Sequence, residues 1–151
     1  MRIGILGGTG PAGSALAARL ASIGYPVVIG SRSKYRAMEA RDSLVGKWPD
    51  LDSLLSYGDN AAAADCDVVV IATPWDSAAT TAQENAAALE GKVVVSMANA
   101  LVRVGHEFQP LVPPRGTVAA HVQAPVPKCH VVAPLPNIPA TQLGHQGEPN
   151  D

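Results

Sequence analysis

Arg2-Ile3-Gly4-Ile5-Leu6-Gly7-Gly8-Thr9-Gly10-Pro11-Ala12-Gly13 is the stretch on which the reading of the fold turns. It begins as a short apolar run that ends in glycines, the pattern of a strand buried on both faces. A helical pattern follows from Pro11 to Ile23, with Leu16, Leu20 and Ile23 at i, i+4 and i+7 and Gly24 as its stop. Between them, Gly8-Thr9-Gly10-Pro11-Ala12-Gly13 matches G-x-G-x-x-G. Glycines alone could mark a plain strand–helix turn. Flanked by strand and helix, they point to a pyrophosphate site, because they permit a tight turn and close backbone approach. The helix start presents free N–H groups and a positive dipole end to the phosphates. Pro11 gives up only an N–H that has no intrahelical partner.

The alternation continues downstream. Val27-Val28-Ile29 reads as a second strand ending at Gly30-Ser31-Arg32-Ser33, and a polar helix follows from about Lys34 to Gly46. Residues 47–57 are ambiguous, with a short strand expected near Leu54-Leu55; Asp59 or Asn60 then caps a short alanine-rich helix. Asp67 to Ala72 is the clearest strand. A helix from Asp76 to Leu89 leads to the strand Lys92 to Ser96, and a short helix near Thr117–Gln123 precedes a last strand at His130–Ala133. Apolar strands alternating with helices imply a sheet covered on both faces. The expected fold is α/β, a Rossmann-type doubly wound, mostly parallel sheet in a single domain. That domain spans residues 1–140, with 141–151 as a polar tail.

Composition agrees. With 151 residues, 47% hydrophobic and 16% charged, the chain suits one ordinary domain with a real core. A net charge of −2 supplies no basic field, so nucleic acid is not an expected partner. The longest apolar run, Val68 to Ala72, is too short to span a membrane, and no signal peptide is visible. Cys66 and Cys129 make no disulfide framework, and a cytoplasmic location is expected. Two asymmetries stand out. The first 38 residues hold five basic residues and no acid, while nine of the 13 prolines fall from Pro110 onward.

The end of the second strand selects the nucleotide. An NAD site places Asp or Glu there for the ribose 2′-hydroxyl. Here Ser31-Arg32 is followed by Lys34 and Arg36, with no carboxylate nearby. Arg32 can fork onto a 2′-phosphate and Ser31 can donate a hydrogen bond, which favours NADP(H) over NAD. A merely solvated basic helix start is the alternative, but it leaves the acid-free segment unexplained. In an open parallel sheet ligands lie beyond the strands' carboxyl ends, here including Thr73-Pro74-Trp75 and Ser96. Thr73 and Pro74 are placed at the nicotinamide half. Trp75 is read equally as an apolar cover or as ordinary packing.

Together these residues resemble the coenzyme F420-dependent NADP oxidoreductase family. The matching segments are Met1 to Gly10, Val28-Ile29-Gly30-Ser31-Arg32 and Thr73-Pro74-Trp75, with a weaker match at Val131-Val132 and Asn137-Ile138-Pro139-Ala140. The resemblance implies hydride transfer between NADPH and the deazaflavin coenzyme F420, with both reacting atoms on cofactors. It also implies that Thr9, Gly10, Pro11 and Ala12 hold the pyrophosphate region and that Ser31, Arg32 and Arg36 hold the 2′-phosphate. Ala140 would approach the carboxamide, and Ile138 the deazaflavin. Gly8, Gly13, Thr73, Pro74 and Ala98 complete the candidate cofactor-binding set; no catalytic side chain and no metal ligand is expected. Small-molecule cofactors are the expected partners, and a homodimer is allowed.

Two other readings stay open. Gly7-x-x-Gly10-x-x-Gly13 also fits short-chain dehydrogenases, but no tyrosine here is followed four residues later by the lysine of their Tyr-x-x-x-Lys motif. A non-catalytic NADP(H)-binding module, whether truncated reductase, sensor or regulatory protein, would bind NADPH without bleaching F420. His106, His121, His130, His145 and Cys129 match no ligand spacing. Cys66 lies between Asp65 and Asp67, whose charges disfavour a thiolate.

Overall fold

The computed structural model describes residues 1–134 and 138–144. Six parallel strands form one sheet: β1 (Ile3–Leu6), β2 (Val27–Ser31), β3 (Leu55–Asp59), β4 (Val68–Ile71), β5 (Val93–Ser96) and β8 (His130–Val132). Their order is β3-β2-β1-β4-β5-β8, so the chain runs outward to one edge, returns past β1 and builds the other half. This is the doubly wound arrangement expected, and its topological switch lies between β1 and β4. Val, Ile and Leu dominate β1, β2 and β4 because these strands carry helices on both faces; β1 and β2 are buried throughout.

On one face, α1 (Pro11–Ser22) and α2 (Lys34–Lys47) enclose a core that includes Ile5, Leu16, Ile29 and Val70. On the other, α3 (Asn60–Ala64), α4 (Trp75–Glu84), α5 (Ala86–Leu89) and α6 (Val118–Gln123) enclose Leu6, Val69, Ile71, Leu89 and Val122. Short α3 sits very close to the sheet, and strand glycines make that possible. A Cβ on Gly4 would collide with the Ala63 backbone; one on Gly30 would lie 2.7 Å from Ala63 Cβ, and one on Gly58 2.8 Å from Ala62 Cβ. One glycine from each of three adjacent strands thus opens a trough for an alanine helix.

Three elements differ from the sequence expectation. The third strand is Leu55–Asp59 rather than a fragment at Leu54-Leu55, because pairing with β2 from Val27↔Leu55 to Ser31↔Asp59 supplies an order its own composition does not. The helix expected from Asp76 to Leu89 is broken at Asn85, whose side chain donates to the Thr81 carbonyl at 2.8 Å and so takes an acceptor the helix would use. An unexpected antiparallel hairpin, β6 (Leu101–Val104) and β7 (Glu107–Pro110), lies apart from the main sheet. Its turn is Gly105-His106; Gly105 has φ 62° and His106 does not have a positive φ, as a type II′ turn requires. Leu101, Val102, Val104 and Phe108 of the hairpin are exposed.

The segment expected as a polar tail begins as a helix, α7 (Ala140–Leu143), which packs on α1 and buries Leu143. Residues 145–151 of that tail, and Pro136 and Asn137, lie outside the described residues. Among the described residues no helix is long and apolar enough to cross a membrane.

Candidate functional site

A cleft of about 630 Å³ lies at the switch point, beyond the carboxyl ends of β1, β2 and β4. Seven sequence candidates line it: Thr9, Gly10, Ser31, Arg32, Arg36, Thr73 and Pro74. They come from three separate segments, and the parallel register of β2, β1 and β4 brings those segments side by side.

The glycines of the turn divide the work. Gly8 is buried and its polar groups are spent on the fold: its N–H donates to Gly30 O at 2.9 Å, and its carbonyl accepts from Ser14 Oγ at 3.1 Å. Gly13 is buried too, and a Cβ there would lie 2.8 Å from Gly8 Cα. These two let α1 close onto the strand end. Gly10 is different, since a Cβ on it would meet nothing within 4 Å. It is the N-cap of α1, no side chain caps the helix, and Pro11 follows, so the N–H groups of the first turn have no side-chain acceptor. Pro11 is exposed and Ala12 half-buried at that turn.

The cationic corner is built by the end of β2. Ser31 is 7% exposed, and its Oγ accepts from the Ser33 N–H at 3.2 Å, which leaves its own proton to donate. Ser33 Oγ in turn caps α2 by accepting from the Arg36 N–H at 3.4 Å, setting Arg36 on the helix's first turn beside the cleft. Arg32 and Arg36 are exposed, and among the described residues no carboxylate pairs with either. Their charge is therefore available to an anion.

The fit of a dinucleotide can be tested on the buried polar atoms. Thr73 Oγ1 is buried without a hydrogen-bond partner, and it belongs to a residue lining the cleft. An orphaned hydroxyl of this kind carries a desolvation cost that a bound polar group would relieve. Together with the open space at Gly10 and the unpaired arginines, it fits a phosphate-bearing ligand. Ser96 Oγ, at the end of the neighbouring β5, is likewise buried and unpartnered.

Other candidates lie elsewhere. Ala98 is 6% exposed within the α3–α4–α6 core. Ile138 is exposed and Ala140 half-buried at the start of α7; neither they nor Pro11, Ala12 and Ala98 are among the cleft-lining residues. Trp75 packs against the core, with its ring 6.4 Å from that of His121 and tilted by 56°, which is the packing role of the two considered. Sequence reasoning missed Asn60, whose Oδ1 accepts from the Gly7 N–H at 3.2 Å, and the wall formed by α4. Asn60 was visible as a helix cap candidate, although Asp59 is the cap. Burial, more than the neighbouring acids, pushes the Cys66 thiol up, and burial does the same for Cys129.

A family model described as NADP oxidoreductase, coenzyme F420-dependent, matches residues 2–100. The chain belongs to that family. An F420-dependent NADP reductase of Methanocaldococcus jannaschii is 35% identical over 144 residues, covering 91% of this chain and 64% of that protein. One of Methanothermobacter marburgensis is 34% identical over 96 residues, covering 63% of this chain and 43% of its own length. The chain thus spans less than two thirds of either curated relative. Among solved structures, one from Arthrobacter sp. FB24, provisionally named an F420-dependent NADP reductase, superposes with a TM-score of 0.75 at 29% identity, covering 93% of this chain and 65% of the other. A hypothetical protein of Sinorhizobium meliloti superposes with a TM-score of 0.77 at 25% identity, covering 98% and 68%. The family segments quoted from the sequence, the glycine turn and Gly30-Ser31-Arg32, fall inside the matched range and meet at one cleft.

Proposed function

We propose that the protein binds NADP(H) in this cleft and transfers a hydride between it and the deazaflavin coenzyme F420. The observation that carries the nucleotide half is the meeting of Gly10, at an uncapped helix start, with the unpaired Arg32 and Arg36 in one cleft. The F420 half is supported by family membership and by the names of the relatives above. When bound, NADPH supplies hydride from its nicotinamide C4, and the deazaflavin C5 accepts it. The chain's own task is to hold two ring systems together and keep water out, which asks no acid or base of the cleft.

In this reading Thr9, Gly10 and the main chain of Pro11 and Ala12 hold the pyrophosphate, while Ser31, Arg32 and Arg36 take the 2′-phosphate. Thr73 and Pro74 support the nicotinamide half, with the Thr73 hydroxyl gaining a partner. Ala98 and Ala140 belong to the same half, and Ile138 to the deazaflavin side. The cofactor-binding unit is residues 1–140. A cytoplasmic location, a homodimer and partners limited to small molecules are part of the same proposal. The exposed apolar residues of the β6–β7 hairpin support the homodimer, and sedimentation equilibrium tests it.

The deciding experiment mixes the protein with NADPH and oxidised F420 and follows loss of the deazaflavin absorbance. Catalysed bleaching is expected. NADPH binding without bleaching would refute turnover and favour a non-catalytic binding module; no NADPH binding would refute both.

A further inference from the structure

One wall of the cleft has no role in the reading above. Ser77, Thr80, Thr81 and Glu84 all line the cleft from α4, spaced at i, i+3, i+4 and i+7 along one face. Ala78 and Ala82, on another face of the helix, are fully buried in the core. The helix is therefore amphipathic with its polar stripe turned to the cleft, not simply to bulk water. Among the described residues, Glu84 is the only carboxylate that lines the cleft, and it pairs with no cation.

Helix stability does not account for that carboxylate. Glu84 is the last residue of α4, where the helix dipole is negative and an acid is disfavoured. Nor can it serve a phosphate, which it would repel. A 2′-phosphate held by Arg32 and Arg36 fixes the adjacent ribose carbon, and the base on that ribose lies within a few bond lengths of it. With the pyrophosphate leading toward Gly10, and Asn60 Oδ1 engaged by the Gly7 N–H, the longest polar surface left for the base is the α4 stripe. Ser77 to Glu84 runs about 10 Å along the axis, long enough for a purine.

We propose that Glu84 is a specificity-determining residue that accepts a hydrogen bond from the exocyclic amine of the nucleotide's purine. An ionised carboxylate only accepts hydrogen bonds. Adenine offers it an N–H donor; hypoxanthine offers a carbonyl oxygen, which it repels. The inference rests on the nucleotide reading above, and its test separates the two.

Full-length protein, wild type and Glu84→Ala, is titrated calorimetrically with NADPH and with its hypoxanthine counterpart, deamino-NADPH. Wild type is expected to bind NADPH about tenfold more tightly or better, the effect of one charge-assisted hydrogen bond. Glu84→Ala should bring the two ligands within about twofold, by weakening NADPH and strengthening the deamino compound. Its melting temperature should be unchanged or slightly raised; a marked fall would assign Glu84 to the fold and overturn the proposal. Equal binding of both ligands by wild type, or equal weakening of both in the variant, would overturn it while leaving the nucleotide site intact. Failure of wild type to bind either ligand would refute the nucleotide reading itself, and this inference with it.

Discussion

Replacing Gly10 with serine should strengthen the fold and weaken the nucleotide site. Gly10 has φ −77° and ψ 167°, extended values that any L-residue adopts, and a Cβ there meets nothing within 4 Å. No strain opposes the change. Removing a glycine narrows the unfolded ensemble by about 0.4–1 kcal/mol. Serine is also a preferred N-cap, whose Oγ can accept from the second or third helical N–H, adding a few tenths. The sum, about 0.7–1.3 kcal/mol, corresponds to a melting-point rise of about 1–5 °C for a chain of this size. The same hydroxyl occupies N–H groups that a pyrophosphate would use, and its Cβ fills the open space. Loss of even one charge-assisted hydrogen bond, about 1.5–3 kcal/mol, weakens NADPH about 10- to 150-fold. Thermal melts and calorimetric titrations of both proteins read the two effects separately. A variant that melts earlier than wild type would refute the steric argument; one that binds NADPH equally well would refute the placement of phosphates at this helix start.

Gly13→Ala, in the same motif, should do the opposite to stability. Its Cβ falls 2.8 Å from Gly8 Cα, so the backbone must shift, at a cost of about 1–3 kcal/mol by analogy with overpacked cores. An unchanged melt would count against that close packing. Arg32→Ala should weaken NADPH about tenfold or more and NADH by less than about twofold, because only the former carries the 2′-phosphate; equal losses in paired titrations would refute the role of Arg32. Burial raises the folded pKa of Cys66 and Cys129 above their ordinary value of 9.0. The folded state then holds these protons when the unfolded state releases them, so this contribution is full below the unfolded pKa and is lost as pH rises above it. Urea midpoints should fall from about pH 8 to 10, and a Cys66→Ala, Cys129→Ala variant should show a shallower fall; parallel slopes would exclude the thiols as the cause.

The relation of fold to sequence follows how local each signal is. Strand β4 was legible because a β-branched run bounded by Asp67 and Thr73 needs no partner to be recognised. Strand β3 was not, because Ser56, Tyr57 and Gly58 become strand only through their pairing with β2. The hairpin carried one local cue, Gly105 between two four-residue segments, and with no clear alternation in Leu101–Val104 it did not stand out. Helix α4 was legible as a helix but not as a wall, since a helix's own residues do not say which element its polar stripe will face.

The sequence by itself determined the strand–turn–helix start and the absence of an acid at the end of the second strand, the two features on which the proposed nucleotide class rests, since glycine spacing and charge are properties of short segments. Only the tertiary structure decided that Gly10 faces the cleft while Gly8 and Gly13 serve packing, that Thr73 Oγ1 is left without a partner, and that α4 closes the cleft with Glu84. Those facts depend on which segments become neighbours across the sheet. Neighbourhood is set by the order β3-β2-β1-β4-β5-β8 and by the burial that selects it, and no single segment encodes it.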